Sequence, residues 1–225
     1  MVFPARVTGE KWRLHKIIDW SNIRTMARTR DEAHYNRSRE ALLQVGMQLF
    51  INKSFNSVGL NEILATAGIP KGSFYHYFGS KEDFALQVVE FYAAQGLGDL
   101  EKALAAHDTS YLGLKAYFES SLQHFEQIDC CQGCLMANLS QELADVNENM
   151  RCRINDSLKV MTTRIAGALT GIDLKHLKLG HLSAAEAAEF LMNSWQGAVM
   201  KMKLTKDSAP LHLFMGYFFA DGVVV

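Results

Sequence analysis

Apolar side chains along most of the chain recur every three or four residues. Leu42, Val45, Leu49 and Phe50 follow this spacing, which places them on one face of an α-helix. The same spacing fits a second run better than the alternation of a strand does: Phe84, Leu86, Val88, Val89, Phe91 and Tyr92. Because the 225 residues include only three prolines, long stretches can stay helical without interruption. The pattern predicts an all-α fold.

Capping residues mark where several of these helices begin. Ser183 with Glu186 three residues later has the form of a capping box, and Ser80 with Asp83 is an imperfect version of it. Glycines predict helix ends at Gly68, at Gly96 to Gly98 and at Gly171. Together these signals predict helices near 37–53, 60–67 and 71–77, one from about 80, and then helices near 110–128, 133–171, 183–204 and 208–220.

Charge is unevenly divided along the sequence. The formal net charge of −1 hides an excess of basic residues in 1–90, which hold 12 Lys and Arg against 9 Asp and Glu, whereas the remainder holds 11 against 15. The basic side chains concentrate in residues 1–39, with nine of them against four acidic ones. Such a segment suits contact with phosphates, and it fits a solvated, disordered tail equally well.

Composition narrows the class of protein further. With 48% apolar residues the chain can bury a substantial core. No run approaches the roughly 18 to 20 apolar residues that span a bilayer, and the first thirty residues lack the apolar stretch of a secretory signal. We therefore expect a cytoplasmic protein without membrane association. The four cysteines lie together in mid-chain, so we expect reduced thiols rather than a disulfide framework.

Two short helices joined by a tight turn stand out between residues 59 and 78. Gly59 can cap the first, with Glu62 three residues later, and Gly68 closes it. Pro70 opens the second helix at a position where its missing N–H is harmless. This is a helix-turn-helix arrangement, in which the second helix enters the major groove of DNA.

The second short helix has two chemically different sides. Successive residues turn by about 100°, so Phe74, Tyr77 and Phe78 share a face that we expect in the core. The other positions offer a small residue, hydroxyls and an imidazole, with a lysine at either end, and these groups suit phosphates and base edges. The predicted DNA-binding residues are Lys71, Gly72, Ser73, Tyr75, His76 and Lys81.

The string VGMQLFINKSFNSVGLNEILATAGIPKGSFYHYFGSKEDF resembles the N-terminal domain of the TetR family of bacterial repressors. The recognition helix and following turn of that family read close to K-G-x-x-Y-x-Y/H-F-x-S-K-E. The resemblance implies DNA contacts from the residues just named, with Lys81 and the N-terminus of its helix on a phosphate, and we predict a base contact for Ser73. Family members carry Ser or Thr near the position of Gly59, so Ser57 is the alternative anchor here.

One helix-turn-helix grips too few phosphates to bind DNA firmly. We therefore expect a homodimer whose recognition helices lie about 34 to 36 Å apart on a palindromic operator. The predicted organisation is a flexible extension over residues 1–30, a three-helix DNA-binding domain over 31–80, and a ligand-sensing and dimerisation domain over 81–225 that forms an antiparallel bundle. An apolar stripe in the 183–204 helix is expected to lie partly in the core and partly in the dimer interface: Phe190, Ser194, Ala198 and Met202.

A second string, CCQGCLMANLSQELADVNENMR, is similar to the "GCL…NLS.E" segment of TetR-family repressors that sense reactive electrophiles such as N-ethylmaleimide. Cys134 occupies the matching position, and Gly133 leaves its thiol at a helix start, where the helix dipole favours the reactive thiolate. Cys130 and Cys131 are further sensor candidates, and a small buried thiol without reactivity is the alternative. His124 and Trp195 are the candidates for the ligand pocket of a small-molecule inducer.

Two other readings of the cysteines were weighed. Cys130, Cys131 and Cys134 have C-x-x-C spacing and could bind zinc with His124, but a zinc site needs a fourth ligand and usually a second such pair, so we predict no metal and no cofactor. A thiol enzyme would use Cys134 with His124 or His107 as base, yet no orienting residue or oxyanion donor presents itself. We predict a regulator in which an adduct or a bound ligand shifts the balance between two spacings of the recognition helices.

Overall fold

The computed structural model describes the backbone of residues 20–220 and the side chains of residues 32–220. Within that range all regular secondary structure is helical, which confirms the predicted all-α class. The helices are α1 (Trp20–Asn52), α2 (Leu60–Thr66), a 3-10 turn (Lys71–Ser73) leading into α3 (Phe74–Tyr77), α4 (Lys81–Ala105), α5 (Ser110–Gln127), α6 (Leu135–Leu143), α7 (Glu148–Leu169), α8 (Ala184–Thr205) and α9 (Ala209–Phe218).

The chain divides between Ser38 and Arg39 into two units. In the first, helix α1 already covers residues 20–30, the end of the segment predicted as a flexible extension, and residues 1–19 lie outside the described residues. The second unit holds the predicted DNA-reading helices and the bundle. None of the helices in the described range is long and apolar enough to cross a bilayer.

The predicted helix-turn-helix forms between residues 59 and 78. Gly59 precedes α2 in an extended conformation, and Gly68 ends the turn after it with a φ of +66°, a left-handed value that glycine adopts without the strain of a Cβ. The Ile69 amide donates to the Leu64 carbonyl at 2.9 Å, which closes the turn. Pro70 then precedes the 3-10 turn in the position where it costs no hydrogen bond.

Two sequence predictions about helix ends are wrong. Helix α4 does not stop at Gly96 to Gly98 but continues to Ala105. A Cβ at Gly96 would lie 3.3 Å from Met161 Cε, so this glycine allows close packing against α7 instead of ending the helix. The helix predicted over 133–171 is two helices, because Asn147 takes an extended conformation and its side chain caps α7 by accepting from the Met150 amide at 2.9 Å.

Buried apolar residues form two cores. One lies within the C-terminal bundle and includes Phe118, Trp195 and Phe214. The other lies beneath the helix-turn-helix and takes in not only α1 to α4 but also α6 and the start of α7. Helix α6 therefore packs with the DNA-reading elements, although it belongs by sequence to the predicted sensing domain.

Candidate DNA-binding surface and sensor cavity

The 3-10 turn and α3 present the two sides that the sequence predicts. Phe74 and Phe78 are only 1% and 2% exposed, whereas Tyr75 is 70% exposed. Tyr77 is half-buried against the same core as the two phenylalanines. Lys71, Gly72 and His76 are exposed and Ser73 is partly so. The predicted base-reading and phosphate-contacting side thus lies at the surface.

Packed aromatic rings hold this segment from below. The Phe74 ring lies 5.4 Å from that of Phe78 and 5.5 Å from that of Phe84, and Phe78 and Phe84 are 4.7 Å apart in an edge-to-face arrangement, all measured between centroids. The Arg39 guanidinium lies 5.8 Å above the Phe78 ring and donates to the Gln87 side chain. Edge-to-face aromatic pairs have a preferred geometry, so the recognition segment is held in one orientation.

Lys81 occupies a different position from the other predicted DNA contacts. Its ammonium donates to the Phe55 carbonyl and lies 4.3 Å from the centroid of the Phe55 ring. Burial lowers the pKa of Lys81, while the nearby Glu142 carboxylate raises it. The side chain therefore braces the loop between α1 and α2, and its phosphate contact stays a prediction.

The N-terminus of α4 that follows Lys81 is well defined. Ser80 accepts from the Asp83 amide at 3.0 Å, and the Asp83 carboxylate accepts from the Gly79 amide at 2.8 Å. The cap thus spans one residue more than the predicted Ser80 and Asp83 pair.

The alternative phosphate anchor, Ser57, is exposed next to Gly59. Its hydroxyl oxygen accepts from the Ser54 hydroxyl at 2.9 Å, and its amide donates to Ser54 Oγ at 3.3 Å. This local turn keeps the hydroxyl of Ser57 at the surface beside the start of α2, the helix that lies across the DNA backbone in a helix-turn-helix.

A cavity of about 770 Å³ lies between α1, α4, α5, α6, α7 and α8. The two predicted pocket residues, His124 and Trp195, both line it, and so does Cys134. The volume falls within the range of small-molecule sites. Its wall is rich in methionines and carboxamides: Met47, Met136, Met161, Met192, Gln44, Gln48, Gln132 and Gln196.

Cys134 lies at the wall of this cavity, immediately before α6. Its side chain is buried, and Gln196 Nε2 donates to its sulfur at 3.5 Å. The Tyr92 hydroxyl bonds to the same thiol and to the backbone of Leu135. The thiol thus stands at the helix N-terminus that the sequence predicted, with a phenol and a carboxamide as its polar partners.

Two half-buried tyrosines, Tyr92 and Tyr117, line the cavity near Cys134. Burial raises the pKa of Tyr117 to about 12, and the Cys134 thiol adds to the rise. Burial likewise raises the pKa of Tyr92 well above its ordinary value, again with Cys134 as a second cause. Because burial disfavours the charged form of both phenols, both side chains are uncharged near neutral pH.

The other cysteines differ in setting. Burial raises the pKa of the Cys130 thiol, and the hydrogen bond to Glu148 raises that of exposed Cys152. Cys131 is exposed and donates to the Asp129 carbonyl at 3.4 Å. Cys130 packs in the bundle core and Cys134 in the other core. Within the described residues no group of three or more His, Cys, Asp or Glu is placed to hold a metal ion.

The surroundings of Cys134 matter for the alternative that it is the nucleophile of a thiol enzyme. His107 lies outside the cavity, where its Nδ1 is 2.8 Å from the Ala103 carbonyl oxygen. The polar partners of the Cys134 sulfur are Gln196 and Tyr92. Neither is a base that activates a thiol for turnover.

Three of the four predicted interface residues on α8 reach the surface. Phe190 is exposed and Ser194 and Ala198 are partly exposed, but Met202 is fully buried in the chain's own core. Met202 is therefore a core residue and offers no surface to a second subunit. The large apolar side chains that are exposed on α8 and α9 are Phe190, Met200, Leu204, Leu213 and Tyr217.

A helix-turn-helix with a surface-exposed second helix, joined to a helical bundle that holds a cavity, defines the class of DNA-binding regulators. Two family models match the chain: "Bacterial regulatory proteins, tetR family" over residues 42–88 and "Tetracyclin repressor-like, C-terminal domain" over residues 113–218. The chain belongs to the TetR family of transcriptional regulators.

Relatives named as transcriptional regulators support the same assignment. The chain is 33% identical to the transcriptional repressor NemR of Escherichia coli, over 77% of this chain and 88% of that protein. It is 30% identical to the transcriptional regulator AcuR of Cereibacter sphaeroides, over 80% of this chain and 83% of that protein. The crystal structure of reduced E. coli NemR superimposes with a TM-score of 0.72 at 32% identity, over 81% of this chain and 95% of that one.

Sequence reasoning missed several residues of the site. Tyr92 and Gln196 flank Cys134, and Glu142 reaches the loop that Lys81 braces. The four-residue interval from Cys134 through Asn138 to Glu142 was visible in the second string. Residues four apart share one side of a helix, so this interval is a sequence signal for Glu142. The sequence contains no comparable signal for Tyr92 or Gln196.

Proposed function

We propose that this regulator is a homodimeric repressor that is released from a palindromic operator when an uncharged electrophile reacts with Cys134. DNA binding is supported by the two different sides of the recognition segment: Phe74 and Phe78 are buried, whereas Tyr75 is 70% exposed. A helix anchored on one side by rings and open on the other fits the major groove. Because a repressor must reach its operator DNA, we place its site of action in the cytoplasm.

The homodimer is supported by the outward faces of α8 and α9. Leu204 and Leu213 are 73% and 75% exposed, and Met200, Phe190 and Tyr217 add to the exposed apolar surface. Gly197 of α8 and Gly216 of α9 have open space where a Cβ would stand, so a partner helix can approach both closely. Burying these side chains against a second copy removes apolar surface from water, and it supplies the second recognition helix that a palindrome requires.

Sensing is supported by the position of Cys134 at the cavity wall and at the start of α6. The reacting form of a cysteine in an addition to an electrophile is the thiolate. The thiolate adds to an activated carbon–carbon double bond: a sulfur–carbon bond forms, the π bond breaks, and the adjacent carbon takes up one proton in place of the one that the thiol lost. Nothing is oxidised or reduced.

The cavity wall favours an uncharged inducer of modest size. Tyr92 and Tyr117 both keep their protons because burial disfavours negative charge there. The methionines provide a soft surface that adapts to different shapes. A neutral electrophile such as an enone or maleimide fits this chemistry better than a carboxylate does.

A DNA-release assay tests the proposal. Fluorescence anisotropy with duplex DNA that flanks the protein's own gene is measured before and after N-ethylmaleimide, for the wild type and for Cys134→Ser. Exposed Cys131 and Cys152 react in both proteins, so the comparison isolates Cys134. We expect both proteins to bind the DNA and only the wild type to be released. Release of both proteins, or of neither, contradicts sensing through Cys134, and absence of binding to that DNA contradicts its assignment as the operator.

A further inference from the structure

Three polar residues form a row along one side of α6. Cys134 stands just before the helix, Asn138 follows four residues later and Glu142 four residues after that. Residues four apart lie one above the other on a helix. The row begins at the cavity wall and ends at the loop between α1 and α2. It therefore connects the proposed sensor with the DNA-reading elements.

Glu142 holds that loop through two successive backbone amides. Its Oε2 accepts from the Phe55 amide at 2.9 Å and its Oε1 from the Asn56 amide at 2.8 Å. Both carboxylate oxygens are used, and bonds from amides to a charged carboxylate are stronger than bonds between neutral groups. The loop is thus fixed relative to the C-terminal end of α6.

The same loop is held from its other side by the helix that follows the recognition segment. Lys81 is the first residue of α4, and its ammonium donates to the Phe55 carbonyl. Only Phe78, Gly79 and Ser80 separate it from the end of α3. Contacts therefore run without interruption from Glu142 through Phe55 to the end of the recognition segment.

Asn138 makes the middle contact of the row. Its Nδ2 donates to the Ile51 carbonyl near the end of α1, and its Oδ1 accepts from Lys203 Nζ of α8, each at 3.4 Å. The apolar side of α6 packs in the same core as Phe74 and Phe84, through Leu135, Leu139 and Leu143. A displacement of α6 therefore changes the packing beneath the helix-turn-helix directly.

We propose, building on the function proposed above, that Glu142 is the positioning residue that passes a change at the Cys134 end of α6 to the recognition segment, by holding the α1–α2 loop through the Phe55 and Asn56 amides. Hydrogen bonds of this kind are lost when the distance between donor and acceptor increases by about 1 Å or even less. Helix shifts of about 1 to 2 Å are the usual size of such transitions. Enlarging the side chain at position 134 displaces α6 and releases the loop.

Hydrogen exchange of individual amides tests this without DNA. The exchange rates of the Phe55 and Asn56 amides are measured for the wild type, Glu142→Gln and Cys134→Ser, with and without N-ethylmaleimide, and adduct formation at Cys134 is followed by peptide mass spectrometry. Modification of wild-type Cys134 is expected to speed exchange of both amides by about fivefold or more, the lower end of typical coupling between sites. Glu142→Gln is expected to show fast exchange already and little further response.

Two further variants make the outcome decisive. Gln141→Ala changes an exposed neighbour on the same helix and is expected to respond as the wild type does. Cys134→Leu enlarges the side chain without any reaction and is expected to speed exchange of the same two amides, so the answer does not depend on thiol reactivity. Thermal unfolding of each variant verifies that it is folded.

Unchanged exchange of the Phe55 and Asn56 amides in both the modified wild type and Cys134→Leu overturns the role of Glu142, and so does a full response in Glu142→Gln. Release of both or of neither protein in the DNA-release assay overturns the proposed sensing through Cys134 instead, and it leaves the exchange result to decide the role of Glu142. The two failures are therefore distinguishable.

Discussion

Gly46 of α1 lies directly against the ring of Phe84 in α4. A Cβ at position 46 would stand 2.3 Å from Cζ of that ring, and 3.0 Å from a methyl group of Val88. Phe84 is fully buried and packs edge-to-face on Phe78. The ring cannot retreat without disturbing the layer that supports the recognition segment, so the absence of a side chain at Gly46 sets how closely the two helices approach.

Gly46→Ala is expected to destabilise the fold although alanine is the better helix former. The helix preference for alanine is about 1 kcal/mol, whereas overpacking a well-filled core costs about 1 to 3 kcal/mol. The free energy of unfolding from urea titration measures the net effect. Gly98→Ala is the matched control, because its Cβ would meet nothing within 4 Å, and we expect it to be neutral or stabilising. Equal behaviour of the two variants would contradict the packing argument.

Tyr117 is expected to titrate far above an ordinary tyrosine, because burial raises its pKa from 10.0 to about 12. The folded state therefore keeps a proton that the unfolded chain loses, so this contribution to stability is complete below pH 10 and falls as the pH rises toward about 12. The phenolate absorbance of the wild type minus that of Tyr117→Phe gives the titration of this one group. A midpoint near 10 would show that the cavity admits the charged form.

Leu204→Glu and Leu213→Glu are expected to convert the proposed homodimer to a monomer. Each places a charge on one of the most exposed apolar side chains of α8 and α9, and burying an unpaired charge in an interface is strongly unfavourable. Sedimentation equilibrium measures the mass of the assembly in solution. Val146→Glu, at an exposed apolar position between α6 and α7, is the control and should stay dimeric. A dimer that survives both substitutions would place the interface elsewhere.

The DNA-reading elements were predictable because their signals are local. Gly68, Pro70 and the aromatic spacing of Phe74 and Phe78 lie within a few residues of one another, and each acts through backbone geometry or helix periodicity. The structure places all of them as the sequence predicts. Short-range rules suffice where the chain's own neighbours determine the conformation.

The link through α6 could not be predicted in the same way. Phe55 and Glu142 are separated by 87 positions along the chain, and no periodicity relates them. The predicted helix end at Gly96 to Gly98 was wrong for a related reason. Packing of α4 against α7 outweighs the low helix preference of the two glycines. The sequence also does not separate the core edge of the apolar stripe of α8 from its surface edge, because spacing alone does not tell which edge faces inward; Met202 is in the core.

We propose that the exposed side of the recognition segment reads DNA. The affinity of Tyr75→Ala and Ser73→Ala for duplex DNA that flanks the protein's own gene tests this, measured by anisotropy over a range of salt. Exposed His107→Ala is the control. We expect Tyr75→Ala to bind all sequences about tenfold more weakly and Ser73→Ala to change the preferred sequence, while both stay folded and dimeric. Wild-type affinity and sequence preference in both variants would contradict the claim.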